Sequence, residues 1–423
     1  MVATGPEEYL GSLEPIGWRL GLERIHRLNS LLGMPQHRFA SIHVVGTNGK
    51  SSVTRMIAAL LEAHGVSTGA TVSPHIERWR ERILVRGEEI GDAEFAAAVA
   101  RVAEAAGVVN RGLDAGEAVT QFELATAASF VALAAARVEA AVIEAGLGGR
   151  LDATNTIPSR VTVLTSVGLD HTEWLGETEE EIAAEKLAVL RDHSTLVIGR
   201  VSAAVRALAE RTAEERGARL IVAPEDPGPG IRLRVLGRFQ RRNFALARSA
   251  AEAFLGDLDA ERVAEVAARI SIPGRLERVC EAPPSFLDAA HNRDGAAALA
   301  EALPEIGGGP VIACLAMLRD KDAAAAIGAL APALERAVCT ELPAEALMAV
   351  GRPGAASIPA AELAAACAAG ELPAEAEPRL EAALSHALVL AREVRGGILL
   401  VTGSHYLISP ARGALGRSEL CDD

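Results

Sequence analysis

Only three side chains in this 423-residue sequence carry a primary amine, although lysine and arginine together number 42. Arginine stands almost wherever a positive charge suffices. The remaining lysines therefore point to places where a compact ammonium or a reactive amine is needed, because the two residues are not interchangeable there. They lie in GTNGKSS (Lys50), AAEKLAV (Lys186) and RDKDA (Lys321). The segment Gly46-Thr47-Asn48-Gly49-Lys50-Ser51-Ser52 has the make-up of a phosphate cradle. Its backbone N–H groups, with the positive end of a following helix, attract phosphate oxygens. Lys50 could reach the outer phosphates, and Ser51 or Ser52 could offer a hydroxyl to Mg²⁺. The usual pattern has a further glycine where this chain has Val44, so a glycine turn with an incidental lysine is the plain alternative. Glu144 closes the apolar run of VIEAGLGGRLDATN and suits a Mg²⁺ ligand. His171 in GLDHT becomes a candidate metal ligand beside it, while Ser73-Pro74-His75 reads equally as a simple turn.

Such residues work only if a scaffold brings them to one place. Residues 39–45 (FASIHVV) read as a buried strand, and helical apolar spacing follows over 51–64. Further strands are expected at 68–72, 140–145, 160–167 and 195–198, with helices at 93–106, 118–136, 177–190 and 203–215. Residues 223–230 form a Pro/Gly loop, and helices resume at 243–255 and 261–270. The Ile272-Pro273-Gly274-Arg275 punctuation then marks a domain boundary, giving domains 1–272 and 273–423. The alternation restarts with strands at 285–287, 311–315, 337–340 and 398–402 and helices from Asp294 and Asp322. The alanine-rich stretch 355–383 reads as one or two surface helices. Strands alternating with helices of this length imply α/β domains with mostly parallel sheets covered on both faces. The candidate residues follow strands, where open α/β sheets bind ligands.

Composition narrows the classes. Half the residues are hydrophobic and 23% are charged, a globular profile. The net charge of −14 gives no polycationic footprint for nucleic acid or anionic lipid. The longest uncharged apolar run, 124–136, has 13 residues, against the roughly 20 that a spanning helix requires. The opening MVATGPEEYL lacks the basic and apolar regions of a secretory signal. Five cysteines without a CxxC pair argue against a disulfide framework or zinc ribbon. A cytoplasmic protein with reduced thiols is expected.

The motifs taken in order resemble the ATP-dependent folylpolyglutamate synthase/dihydrofolate synthase group of the Mur-ligase superfamily. The resemblance runs through GLERIHRLNSLLGMP, IHVVGTNGKSS, SPHIERWRERI, FELATAASF, EAGLGGRLDATN, TSVGLDHTEWLG, IAAEKLAV, GRFQRRN, PGRLE, DAAHN, MLRDKD and VTGSHYL. It implies a P-loop ATPase domain followed by a smaller Rossmann-like C-terminal α/β domain. It also implies an amide ligase in which ATP phosphorylates a substrate carboxylate and the amino group of L-glutamate attacks the acyl phosphate. Dihydropteroate, a reduced folate, or both would be the acceptor.

By the same resemblance, Thr47, Asn48, Gly49, Lys50, Ser51 and Ser52 hold the ATP phosphates. Ser73, Glu144 and His171 ligate Mg²⁺, with two metal sites implied. Lys186 matches the lysine that reacts with CO₂ to form a carbamate supporting the second metal, a role closed to arginine, whose guanidinium stays protonated. Asn243, Arg275 and Asp288 match nucleotide contacts, and Asp288 and His291 face the nucleotide and the incoming glutamate. Lys321 falls near the glutamate site, and Phe122, Arg150 and Asp152 match the pterin side. The chain departs from the family's usual pattern at Ser51, where glycine follows the loop lysine, at Leu187-Ala188 after Lys186, and at Arg293 after His291-Asn292. A muramyl-peptide ligase would need a nucleotide-sugar-binding domain in the 45 residues before Gly46. A non-catalytic ATP-binding protein would have no use for Lys186, Glu144, His171 and Asp288 together. A monomer acting on small molecules, without nucleic acid or membrane, is expected.

Overall fold

The computed structural model describes residues 5–13, 21–349, 355–417 and 421; residues 1–4 of the stretch read for a secretory signal lie outside them. The chain divides into two compact units, residues 1–234 with 241–270 and residues 235–240 with 271–423. No helix among the described residues is long and apolar enough to cross a membrane.

The first unit is built on eight strands: β1 (Ala40–Val45), β2 (Thr68–Thr71), β3 (Ile83–Val85), β4 (Glu88–Glu89), β5 (Ala140–Glu144), β6 (Ser159–Leu164), β7 (Thr195–Ile198) and β8 (Arg219–Val222). Their order across the sheet is β4-β3-β2-β5-β1-β6-β7-β8. The six from β2 to β8 run parallel, and β3 and β4 add an antiparallel hairpin at one edge. Central strands of a parallel sheet are covered on both faces, which explains why β5 (AAVIE) is buried at every position, its terminal glutamate included.

Helix Lys50–Ala63 follows β1 directly and buries Val53, Met56, Ile57, Leu60 and Leu61, the i, i+3, i+4 stripe read from the sequence. Helices Asp92–Asn110 and Gln121–Ala135 pack with Ala141 and Ile143 in one apolar cluster. Helices Glu179–Leu187 and Ala203–Glu215 join Val45, Leu164 and Ile198 in another. Each fully buried Ile, Leu or Val contributes about 1.5–3 kcal/mol through removal of apolar surface from water. Local chemistry sets the helix starts. Thr120 with Glu123 and Thr178 with Glu181 form capping boxes that satisfy exposed N–H groups of the first turns.

The second unit holds β9 (Glu277–Cys280), β10 (Ser285–Leu287), β11 (Val311–Leu315), β12 (Arg336–Cys339), β13 (Ala374–Ala376) and β14 (Ile398–Thr402). They are ordered β13-β12-β11-β14-β10-β9, all parallel except β9. Several details differ from the sequence reading. The strands β8 and β13 and the β3–β4 hairpin sit at or near sheet edges, where short, partly exposed segments carry little hydrophobic signal. The stretch 355–383 contains helix Ala360–Ala369 and β13 before helix Leu380–Glu393 begins, and Leu363 and Cys367 are fully buried, so it is not simply a surface helix. The helix expected from residue 243 starts at Arg238.

Candidate active site

Strands β2, β5, β1 and β6 are consecutive neighbours in the sheet though not in the chain. Being parallel, they end on the same side: Thr71 pairs with Ile143, Val44 with Glu144 and Val45 with Leu164. Four segments distant in sequence therefore leave the sheet at one edge. Glu144 is the focus there. The residue is 3% exposed; its Oε1 accepts from Ser51 Oγ at 2.9 Å and Oε2 from the Ser73 backbone N–H at 3.0 Å. Of the two serines after Lys50, Ser51 reaches this carboxylate, while Ser52 is buried.

The loop between β1 and its helix is held from β6. Thr165 Oγ1 donates to the Asn48 carbonyl at 2.7 Å, Ser166 Oγ accepts from the Asn48 N–H at 3.0 Å, and the Thr47 hydroxyl accepts from the Gly168 N–H at 3.1 Å. Gly49 caps the helix at φ 85°, and a Cβ there would lie 2.8 Å from Asn243 Oδ1. The position thus needs glycine both for its left-handed backbone and for the approach of Asn243. Lys50 Nζ donates to the carbonyls of Gly46 and Thr47 at 3.1 and 3.2 Å, curling over the loop.

Lys186 is 3% exposed on helix Glu179–Leu187. Burial and then the charge of Lys50 push its ammonium down to about 7, against the opposing pull of Asp170 and Asp152. This amine is therefore unlike an ordinary surface lysine. Arg150 ties the glycine loop to the same helix: its Nε donates to Glu185 Oε1 at 2.8 Å and its backbone N–H to the Glu185 carbonyl at 2.9 Å. The Phe122 ring lies so close over Gly146 that a Cβ there would come within 2.4 Å of Cζ. Asp152 is buried; Oδ2 accepts from the Leu147 N–H at 2.8 Å and Oδ1 from the Thr154 N–H at 3.0 Å. Burial pushes its carboxyl up, while these donors pull it back. His171 adopts a left-handed backbone, φ 53°, before helix Thr172–Leu175, with Nε2 3.8 Å from Asp170 Oδ1.

In the second unit, Asp288 follows β10 and is buried; Oδ2 accepts from the Leu276 N–H and Oδ1 from the Ala290 N–H, both at 2.9 Å. Burial raises its carboxyl, opposed first by the positive charge of Arg275. Arg275 Nη1 donates to the Gly274 carbonyl at 2.9 Å, and His291 Nδ1 lies 2.9 Å from the Ala289 carbonyl, which identifies Nδ1 as the protonated nitrogen. Lys321 lies after β11, on the turn preceding helix Ala323–Leu330.

Among the described residues no three His, Cys, Asp or Glu side chains converge as a metal cluster. The donors gathered around Glu144 are instead hydroxyl, carboxylate and backbone oxygens, hard ligands of the kind that suit Mg²⁺. Sequence reasoning missed several supports of the site. Thr165 and Ser166 hold the phosphate loop although TSVGLDHT had been singled out for its histidine. Arg24 of GLERIHRLN makes a buried 3.0 Å ion pair with Glu123 beside Phe122. An arginine in an amphipathic helix carries no local signal of a buried partner 99 residues away.

Comparisons with known proteins agree with this architecture. Residues 44–222 match the Mur ligase middle domain, and residues 274–405 the Mur ligase, glutamate ligase domain. Dihydrofolate synthase/folylpolyglutamate synthase of Mycobacterium tuberculosis is 36% identical over 360 residues, covering 75% of this chain and 74% of its own. The structure of Mycobacterium tuberculosis folylpolyglutamate synthase complexed with ADP superposes with a TM-score of 0.88 at 32% identity, covering 97% of this chain and 98% of that one. The bifunctional enzyme from Yersinia pestis complexed with AMPPNP and Mn ion gives a TM-score of 0.83 at 28% identity, with 98% of both chains covered. With the strand-end residues on a sheet of this order and a relative this similar over three-quarters of its length, the chain belongs to the dihydrofolate synthase/folylpolyglutamate synthase family of Mur-type ligases.

Proposed function

We propose that this ligase joins L-glutamate to dihydropteroate, to reduced folates, or to both, consuming ATP and releasing ADP and phosphate. The observation that carries the reading is Glu144, whose buried carboxylate meets the Ser51 hydroxyl and the Ser73 backbone where three strands end together. A substrate carboxylate is a poor electrophile. Transfer of the γ-phosphoryl group to it gives an acyl phosphate and ADP; the glutamate amine then attacks the acyl carbon, the C–O bond to phosphate breaks, and the amine loses a proton.

Residues 1–272 serve as the ATP-binding domain and residues 273–423 as the glutamate-ligase domain. The loop from Thr47 to Ser52 holds the phosphates, Lys50 swings from its loop carbonyls to the outer phosphates, and Asn243 and Arg275 contact the nucleotide. Ser51, Ser73, Glu144 and His171 would hold Mg²⁺, which supplies charge neutralisation at the transferring phosphate. Lys186 takes up CO₂: its free amine attacks the carbon and loses a proton, leaving a carbamate anion that supports a second metal site. Asp288 and His291 orient the nucleotide and glutamate, Lys321 attracts a glutamate carboxylate, and Phe122, Arg150 and Asp152 form the acceptor wall. A cytoplasmic monomer without nucleic-acid or membrane partners completes the reading.

The test is ADP release with ATP, Mg²⁺ and glutamate, comparing dihydropteroate with tetrahydrofolate as acceptor. Glutamate-dependent ADP release with at least one acceptor is expected. Activity with neither would remove the proposal.

A further inference from the structure

His43 has no role in the chemistry above, yet it is fully buried in the middle of β1, one residue before the position that pairs with Glu144. Its Nε2 lies 2.8 Å from Thr154 Oγ1. That hydroxyl also contacts Asp152 Oδ1, and Asp152 in turn accepts from the Leu147 N–H. The contacts form one line from the sheet interior to the glycine loop that follows Glu144. The turn carrying Thr154 is pinned from other elements as well. Asn29 Nδ2 donates to Thr156 Oγ1 at 3.2 Å, and Arg191 donates to the Asn155 and Ile157 carbonyls at 2.7 and 3.1 Å.

A hydroxyl has one proton, so this line has two self-consistent arrangements. In one, Thr154 donates to an ionised Asp152 and accepts from His43 Nε2–H, leaving Nδ1 without a proton. In the other, a protonated Asp152 donates to Thr154, Thr154 donates to His43 Nε2, and the imidazole proton sits on Nδ1. Asp152 already accepts a backbone N–H on each carboxylate oxygen, and such donors favour the ionised form. His43 Nδ1 has no hydrogen-bond partner, and a buried N–H there would be left unsatisfied. Burial pushes the imidazole down to about 3, so His43 is neutral throughout the working range and does not act as a pH switch.

We propose that His43 is a positioning residue: as the Nε2–H tautomer it turns the Thr154 hydroxyl toward Asp152 and thereby locks the loop 146–152 behind Glu144. The consequence for the acceptor rests on the reading of Phe122, Arg150 and Asp152 as its binding wall; the proton arrangement does not.

Two measurements test it. Nitrogen-15 spectra of histidine-labelled protein between pH 6 and 8 should show His43 as the Nε2–H tautomer; an Nδ1–H tautomer overturns the relay. His43→Leu should raise KM for dihydropteroate about tenfold, as loss of a hydrogen bond aligning a charged group would, and leave KM for ATP unchanged. His43→Gln, which retains an N–H donor, should recover most of that loss. An unchanged acceptor KM in His43→Leu, with Asp152→Asn raising it, overturns the proposal. An unchanged KM in Asp152→Asn, with the Nε2–H tautomer observed, removes the acceptor wall and leaves the relay standing. If His43→Leu does not fold, Thr154→Val takes its place and carries the same expectations.

Discussion

Consider Lys186 in protein equilibrated with ¹³C-labelled CO₂ as pH is varied at constant dissolved CO₂. The free amine, not the ammonium, attacks CO₂ and releases a proton, so raising the pH favours carbamate both by freeing the amine and by removing that proton. Burial, and next the nearby charge of Lys50, push the ammonium down to about 7. At pH 8 an ordinary lysine with pKa near 10.4 keeps roughly 0.4% of its amine free, whereas Lys186 keeps about 90%, a gain of about 200-fold. At pH 6 the free fraction falls to about a tenth. Carbamate signal and turnover should therefore rise together from pH 6 to 8 and level off only where the site is fully carbamylated. Lys186→Ala should lose the signal and nearly all activity, with partial recovery from a short carboxylic acid that fills the space of the missing carbamate. Lys186→Arg should stay inactive although it keeps the charge. Lys50→Met removes the second cause of the shift and should move the carbamate midpoint to higher pH. Full activity in Lys186→Arg, or active wild-type protein without a carbamate signal, would refute the reasoning.

Glu144→Ala removes the carboxylate that gathers Ser51 and Ser73, and should cut Mg²⁺-dependent turnover by more than about a hundredfold; wild-type rates at ordinary Mg²⁺ would reduce Glu144 to a strand end. Gly49→Ala forces a side chain into a left-handed backbone and against Asn243; it should cost about 1–3 kcal/mol of strain and weaken ATP binding in calorimetry. Arg24→Met strands the buried Glu123 carboxylate and should destabilise by about 3–5 kcal/mol, read as a lower Tm that a second change, Glu123→Gln, partly restores. Arg275→Ala should cripple turnover without loss of fold, and removes the charge that most opposes the upward shift of the Asp288 carboxyl; an unchanged rate would take Arg275 out of the site.

Local chemistry was legible in the sequence wherever short-range physics decides it. A glycine loop between an apolar strand and a 3.6-periodic helix can form little else. The scarcity of lysine marked Lys50 and Lys186 before any fold was known. Edge strands were harder, since β13 is built of alanine and glutamate, good helix formers, and is a strand only because β12 pairs with it. The choice between Ser51 and Ser52 needed the helix phase relative to β5, and the support of Asn48 by Thr165 and Ser166 needed the adjacency of β1 and β6. The partners of His43 and Arg24 are likewise set by which strands and helices become neighbours. Sequence thus determined which residues could do chemistry and which elements carry them. The non-consecutive order β2-β5-β1-β6 determined that they meet, because strand order follows from how whole faces are buried, a property no local window contains.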